Sequence, residues 1–238
     1  MANADGGFRD NKARAVRPGA PGAGSRLRLR FARGEAARLI SQHGQIAAFR
    51  AIAENAGLNC AVKSGKVKMS FGPAIVEGYE SLAEYADLFL TGYVDSGLAA
   101  EKIRSSAAAQ NYELLGAKRV PLQFPSLEEL ICAVRYTVYG DFSSARESLA
   151  DYVERGIVRR ERSEGRVDEL VAREIVRASA AEEGKLELLM NIGPGRNLKP
   201  ELLISGWLGK ECLPVRELKV VREDFYWESR NGLLSVWE

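Results

Sequence analysis

Polar and apolar residues alternate strictly over Arg26-Leu27-Arg28-Leu29-Arg30-Phe31. That pattern predicts a strand with Leu27, Leu29 and Phe31 on one face and Arg26, Arg28 and Arg30 on the other. Gly34 ends it. The spacing over 35–56 then becomes helical, with Leu39, His43, Ile46, Phe49 or Arg50, Ala53 and Ala56 on one stripe and Gly57 as the stop. Cys60-Ala61-Val62 and Lys66 to Phe71 read as extended segments about a Ser64-Gly65 turn. The run from Ser70 to Leu90 reads as a strand, a crossing punctuated by Gly72-Pro73 and Gly78, and a second strand over Tyr85 to Leu90. A helix capped by Asp95 or Ser96, with Leu98, Ile103 and Ala107 inside, and a strand over Tyr112 to Pro121 complete a β-α-β-β-α-β order.

Pro121 to Pro125 marks a boundary, and the pattern then repeats. Ser126-x-x-Glu129 is a capping box for a short helical turn, and Ala133 to Tyr139 is a β-branched and aromatic strand. Ser144-x-x-Glu147 is a second capping box, opening a helix with Leu149, Tyr152 and Val153 inside and a stop at Gly156. Ile157 to Arg162 and Arg166 to Ile175 form a strand pair around Glu164-Gly165, and Leu186 to Ile192 is a further strand. Asn197 caps a helix to Gly209, and Leu213 to Trp227 supplies the last strand. The expected fold is α+β: two tandem ferredoxin-like units with antiparallel sheets, over 26–122 and 126–238, each a four-stranded layer backed by two helices. Residues 1–25, rich in Gly, Ala, Pro and Arg, have too little to bury and are expected to be a disordered basic tail.

Composition adds mostly exclusions. An apolar share of 46% with 28% charged residues suits a soluble globular protein, and a net charge of +2 gives no bulk argument for nucleic acid. No apolar run reaches the length of a membrane span and no signal peptide is visible, so a cytoplasmic protein is expected. Cys60, Cys132 and Cys212 are widely spaced and odd in number, which argues for reduced thiols rather than a zinc site or disulfides. His43 is the single histidine, which speaks against a Ser-His-Asp, Cys-His or poly-His site within one chain. Its place on the helical stripe favours a partly buried, hydrogen-bonded imidazole over a general base. Glu77, Glu80, Glu84 and Asp87 gather at the turn and read as solvated loop charges, with a cation or a partner's arginine as the sharper alternative.

Two basic constellations remain. Arg26, Arg28 and Arg30, with Lys66 and Lys68 on a neighbouring strand, form a grid able to meet phosphates, weighed evenly against cross-strand salt bridges. Arg155, Arg159, Arg160, Arg162 and Arg166 are interleaved with Glu154, Glu161 and Glu164 and read as a salt-bridged surface. Gly193-Pro194-Gly195-Arg196 lacks the P-loop lysine and reads as a turn.

The run Ser70, Phe71, Pro73, Ala74, Gly78, Glu80, Ser81, Glu84, Tyr85 and Asp87 resembles, in register, the hallmark of a radical-SAM-linked uncharacterised bacterial family. Members are encoded beside, or fused to, cobalamin-binding radical SAM proteins. Ser126-Leu127 with Ala133 and Tyr136, then Arg166-Val167-Asp168 and Lys199 to Leu203, resemble its weaker signatures. The chain also departs from the family. Ser41 fits the start of its first helix, but Gln42 stands in its histidine slot and Gly44 in its aspartate slot. His43 falls one residue out of register, about 100° round the helix. The loop over Gly65 to Met69 is shorter than the family's. The resemblance implies a radical SAM protein as partner; with these departures the chain reads as its non-catalytic accessory protein, and the basic strand face as a place to present RNA. No cofactor is implied in this chain, since the cluster-binding Cys-x3-Cys-x2-Cys is absent and any iron–sulfur cluster must sit on the partner. The rivals are an RNA-processing or RNA-modifying enzyme using His43 and a stand-alone RNA-binding module.

Overall fold

The alternating run forms β1 (Ser25–Arg33), with Leu27, Leu29 and Phe31 fully buried. The computed structural model describes residues 22–107, 111–161, 167–193, 196–210 and 213–238. The tail expected over 1–25 therefore lies outside the described residues up to position 21, and Ser25 already belongs to β1.

The first helix starts later than its spacing suggested. A 3-10 turn occupies Glu35–Ala37, and α1 (Gln42–Asn55) begins where the Ser41 hydroxyl accepts the Gly44 N–H at 3.2 Å. Gly57, at φ +61°, follows its end. This start puts Gln45, Phe49, Ile52 and Ala53 inward and leaves Leu39 and His43 exposed. The partly buried His43 expected from the stripe is thus corrected. It stands two residues from Gln45, about 200° round the helix. β2 (Val62–Lys63) and β3 (Lys66–Val67) form a hairpin whose turn residues Ser64 and Gly65 both have positive φ, the twist a tight hairpin needs. β4 (Met69–Phe71), β5 (Glu80–Leu90), α2 (Ser96–Ala107) and β6 (Tyr112–Val120) complete the first half. Asp95 caps α2, whose inner face is Ala99, Ala100, Ile103 and Ala107, while Leu98 is half exposed.

The second half opens with α3 (Leu127–Leu130) under a complete Ser126–Glu129 capping box. β7 (Ala133–Tyr139) follows, then α4 (Leu149–Arg155), capped by Ser148 and not by Ser144. β8 (Ile157–Glu161) and β9 (Val167–Val171) make a small separate sheet, joined through α5 (Ala172–Ile175) to β10 (Val176–Glu182) and β11 (Lys185–Asn191). α6 (Pro200–Trp207) starts on proline, and Asn197 instead accepts the Gly193 N–H at 3.0 Å. β12 (Lys219–Ser229) and β13 (Gly232–Ser235) end the chain. Residues 162–166 and 194–195, where turns are expected from sequence, and Cys212 lie outside the described residues.

The expected pair of separate antiparallel sheets is corrected. Nine strands form one sheet in the order β10-β11-β7-β12-β5-β1-β6, with β13 on β12 and β4 on β5. Every pairing in it is antiparallel except β12 with β5, which run parallel at Val221–Glu80 and Arg222–Ser81. The cause is a mismatch in length. β4 covers β5 only at Ala86 to Leu88, so the front of β5 keeps open hydrogen-bonding groups that β12 takes up. Around this junction the first half is ordered β6-β1-β5-β4 and the second β10-β11-β7-β12.

Alternate residues of a strand point to opposite faces, and β5 uses both. Ala86, Leu88 and Leu90 enter a core with Phe49 and Ile52 of α1 and Ile103 of α2. Ala83 and Tyr85 enter a second core with Tyr152 and Val153 of α4 and Leu203 and Trp207 of α6. The helices of the two halves therefore lie on opposite faces of the common sheet.

Candidate functional site

The arginine row of β1 points away from α1 and α2, as its alternation requires, but it is not open to solvent. Arg28 stands opposite Asp87 in the β1–β5 register, and Arg30 opposite Tyr85. The Asp87 carboxylate, fully buried, pairs with both Arg26 and Arg28, the latter through Nε at 2.9 Å and Nη2 at 3.1 Å. Arg26 also donates to the carbonyls of Phe124 (2.6 Å) and Pro125 (2.9 Å). The Arg28 guanidinium lies 5.7 Å from the Phe124 ring centroid. At the other side, Trp237 covers Gly116, stacks near Tyr85 and takes the Lys118 ammonium on its ring and carbonyl. The segment over 121–125 and the C-terminus thus cover the face that the sequence left open. Arg26 and Arg28 are spent on Asp87 and cannot meet phosphate as placed, and only Arg30 stays partly exposed.

The remaining signature residues converge on the junction between the halves. Arg222, fully buried on β12, faces Glu84 (Nε to Oε1 3.5 Å) and donates to the carbonyls of Pro73 (3.0 Å) and Ala74 (3.1 Å). Its guanidinium lies over Phe225, 4.8 Å from the centroid. Glu84 accepts from Gln45 Nε2 at 3.1 Å, and Gln45 in turn accepts from Arg33, which also donates to the carbonyls of Arg38 and Ile40. Burial pulls the Arg33 guanidinium below its ordinary range, with Tyr112 and Glu84 opposing. Tyr85 donates to Asp224 at 2.7 Å, and Ser235 holds the other oxygen of that carboxylate. Glu80 pairs with Lys219 at 3.3 Å, and Tyr79 donates to Glu201 of α6. Ser81 caps the Ala83 N–H locally, and Phe71 packs on Phe49. Ser70 Oγ is buried and makes no hydrogen bond. Gly78, at φ +94°, gives its N–H to Arg38 at 2.7 Å.

The solvated-loop reading of the carboxylates is therefore corrected for Glu84 and Asp87, both buried against arginines. The sharper alternative, a site for arginine, is met from within the chain. Arg33, Gln45, Asp224 and Arg222 were not singled out by sequence, whereas Glu201 lies in the weaker Lys199 to Leu203 signature. The one available signal was Gln45, a polar residue in the apolar phase of a helix.

The other candidates are dispersed. Lys66 is exposed on the β2–β3 hairpin, and the Lys68 ammonium lies 4.6 Å from the Phe89 centroid, on a ring that also takes Arg26. Burial lowers the Lys68 pKa, and Lys63 and Arg26 lower it further. Among the described residues His43 makes no side-chain hydrogen bond or ion pair with either the seam or this cluster. Arg155, Arg159 and Arg160 pair with Glu147, Glu169 and Asp168, as a salt-bridged surface would, while Arg162 and Arg166 lie outside the described residues. Among the described residues no three acidic, histidine or cysteine side chains cluster as a metal set, and no helix is long and apolar enough to cross a membrane.

Residues 26–200 match a family described as "Uncharacterized protein conserved in bacteria" (DUF2344), which spans β1 to the first residue of α6 and takes in the whole signature. Among curated proteins none matches the chain.

Proposed function

Because the chain belongs to this family of uncharacterised bacterial proteins (DUF2344), we propose that it acts as a non-catalytic accessory protein of a radical SAM enzyme. The partner comes from the resemblance of the Ser70 to Asp87 run. The accessory role is supported by one observation: the signature spends its polar groups inside the molecule. Pro73, Glu80, Glu84 and Tyr85 all bond residues of the second half, and Asp87 neutralises β1. Residues so occupied hold two halves in one orientation, as a docking platform requires. The strand orders β6-β1-β5-β4 and β10-β11-β7-β12 support reading each half as a ferredoxin-like unit, welded to the other through β5 and β12. The test is co-elution of the purified chain with a radical SAM protein encoded beside its gene. A folded chain that elutes alone from that mixture removes the reading.

RNA presentation is the second reading, and it moves from the β1 face to the β2–β3 hairpin. Lys63 and Lys66 are exposed there, beside a Lys68 whose ammonium is disfavoured first by burial and then by Lys63 and Arg26. A phosphate would relieve that crowding. Reversal of both exposed lysines (Lys63→Glu, Lys66→Glu) should weaken RNA binding and flatten its log–log salt slope by roughly 1.5 to 2. An unchanged slope rejects the hairpin.

A further inference from the structure

Outside the seam, a groove of about 750 Å³ opens on the second half between α4 and β10. This lies in the range of small-molecule sites, roughly 300–1,000 Å³. Its charges are segregated. Arg173, Arg177 and Arg196 come from α5, β10 and the segment before α6, while Asp151 and Glu154 come from α4. The two carboxylates are three residues apart and share one helix face.

Two details distinguish these arginines from surface decoration. The neighbouring Arg155, Arg159 and Arg160 each find a carboxylate, whereas Arg173 and Arg196 have no ion pair among the described residues although Asp151 and Glu154 line the same groove. Arg177 is also held in place. Its Nε donates to Asn191 Oδ1, Asn191 Nδ2 is anchored on the Glu174 carbonyl at 2.8 Å, and the Arg177 Nη2 lies 3.9 Å from both Glu228 and Cys132 Sγ. Such a positioned guanidinium loses less freedom on binding than a loose one.

We propose that this groove binds a ribonucleotide phosphate ester, with the phosphate on Arg173, Arg177 and Arg196 and the ribose diol on Asp151 and Glu154. Guanidinium groups match phosphate with paired, charge-assisted N–H bonds. Carboxylates accept from vicinal hydroxyls and repel a second phosphate, which orients the ligand. The same chemistry is carried by a free mononucleotide and by the 3′ end of an RNA strand, whose last ribose keeps both hydroxyls and carries a 5′-phosphodiester. The inference does not rest on the radical SAM partner or on the hairpin lysines.

The test is titration of the full chain with AMP, 2′-deoxy-AMP, adenosine, inorganic phosphate and a short oligoribonucleotide with a free 3′-terminal diol. AMP should bind more tightly than adenosine or inorganic phosphate. The Arg173→Ala, Arg196→Ala double variant should raise its Kd about tenfold or more. Glu154→Gln should weaken AMP and leave 2′-deoxy-AMP unaffected. Saturation by the oligonucleotide well below the AMP range identifies an RNA end as the source, and the reverse identifies a free nucleotide. Three results overturn the assignment: neither AMP nor the oligonucleotide saturates at millimolar concentration, adenosine or phosphate matches AMP, or the double variant binds AMP as the parent does. The substituted residues are exposed, so circular dichroism and an unchanged Tm separate lost binding from lost fold.

Discussion

Asp87 shows what a single buried charge does here. It neutralises two arginines that would otherwise sit desolvated under Phe124. Removing one partner of a buried ion pair typically costs about 3–5 kcal/mol, because the remaining charge is left uncompensated. Asp87→Ala should therefore destabilise the chain by roughly that amount in urea titration, whereas replacing Arg26, Arg28 and Asp87 together by apolar residues should restore much of it. A triple variant no more stable than Asp87→Ala would contradict this account. The alternation of β1 disclosed which face Arg28 occupies. It carried no sign that the face is covered, because Phe124 and Trp237 approach from about 100 and 210 residues away in the sequence.

Titration at the same scale predicts weakness in alkali. Burial raises the phenols of Tyr79, Tyr85, Tyr112 and Tyr136 above their ordinary value of 10.0, with Glu201 adding at Tyr79 and Asp224 at Tyr85. The Cys60 thiol is pushed up by burial from 9.0 to about 11. The unfolded chain releases these protons while the folded chain keeps them. Their contribution is whole below pH 9 and declines as pH rises, first through Cys60 between 9 and about 11 and then through the tyrosines above 10. Urea midpoints measured across that range should fall steadily. A flat profile would mean that the phenols are not held as the seam implies.

Among the elements, starts and stops were legible where a cap and an apolar phase agree. Ser126 and Glu129 form the expected box, and Asp95 caps α2. Where two serines compete, only packing decides. Ser144 and Ser148 each precede an acid by three residues, and Ser148 wins because Leu149, Tyr152 and Val153 then share the buried face. β10 escaped notice because Val-Arg-Ala-Ser-Ala-Ala-Glu has little β propensity and is held by its pairing with β11. Gly78 was legible as a turn glycine, but not its packing: a Cβ there would stand 2.9 Å from Val215 of the second half. Gly78→Ala combines that clash with a left-handed φ and should cost about 1–3 kcal/mol. Chemical denaturation checks it, and a loss below a few tenths would show that the crossing yields freely.

For the whole molecule, the first half's order of elements could be read, and the second half's except for β10, but the common sheet could not. A hydrophobic pattern records burial and not which strand provides it, and β5 looks the same with either neighbour. Since β5 feeds both cores, the two halves should melt as one cooperative unit. Calorimetry should give a single transition, and two resolved peaks would mean that the seam is weaker than its ion pairs suggest. The opposed helix layers carry a further consequence for assembly. A protein grasping α1 and α2 and another grasping α4 and α6 would approach from opposite directions, with the full thickness of the sheet between them. Crowding of one by the other is thereby avoided, and the chain can serve as a spacer between two neighbours that never touch.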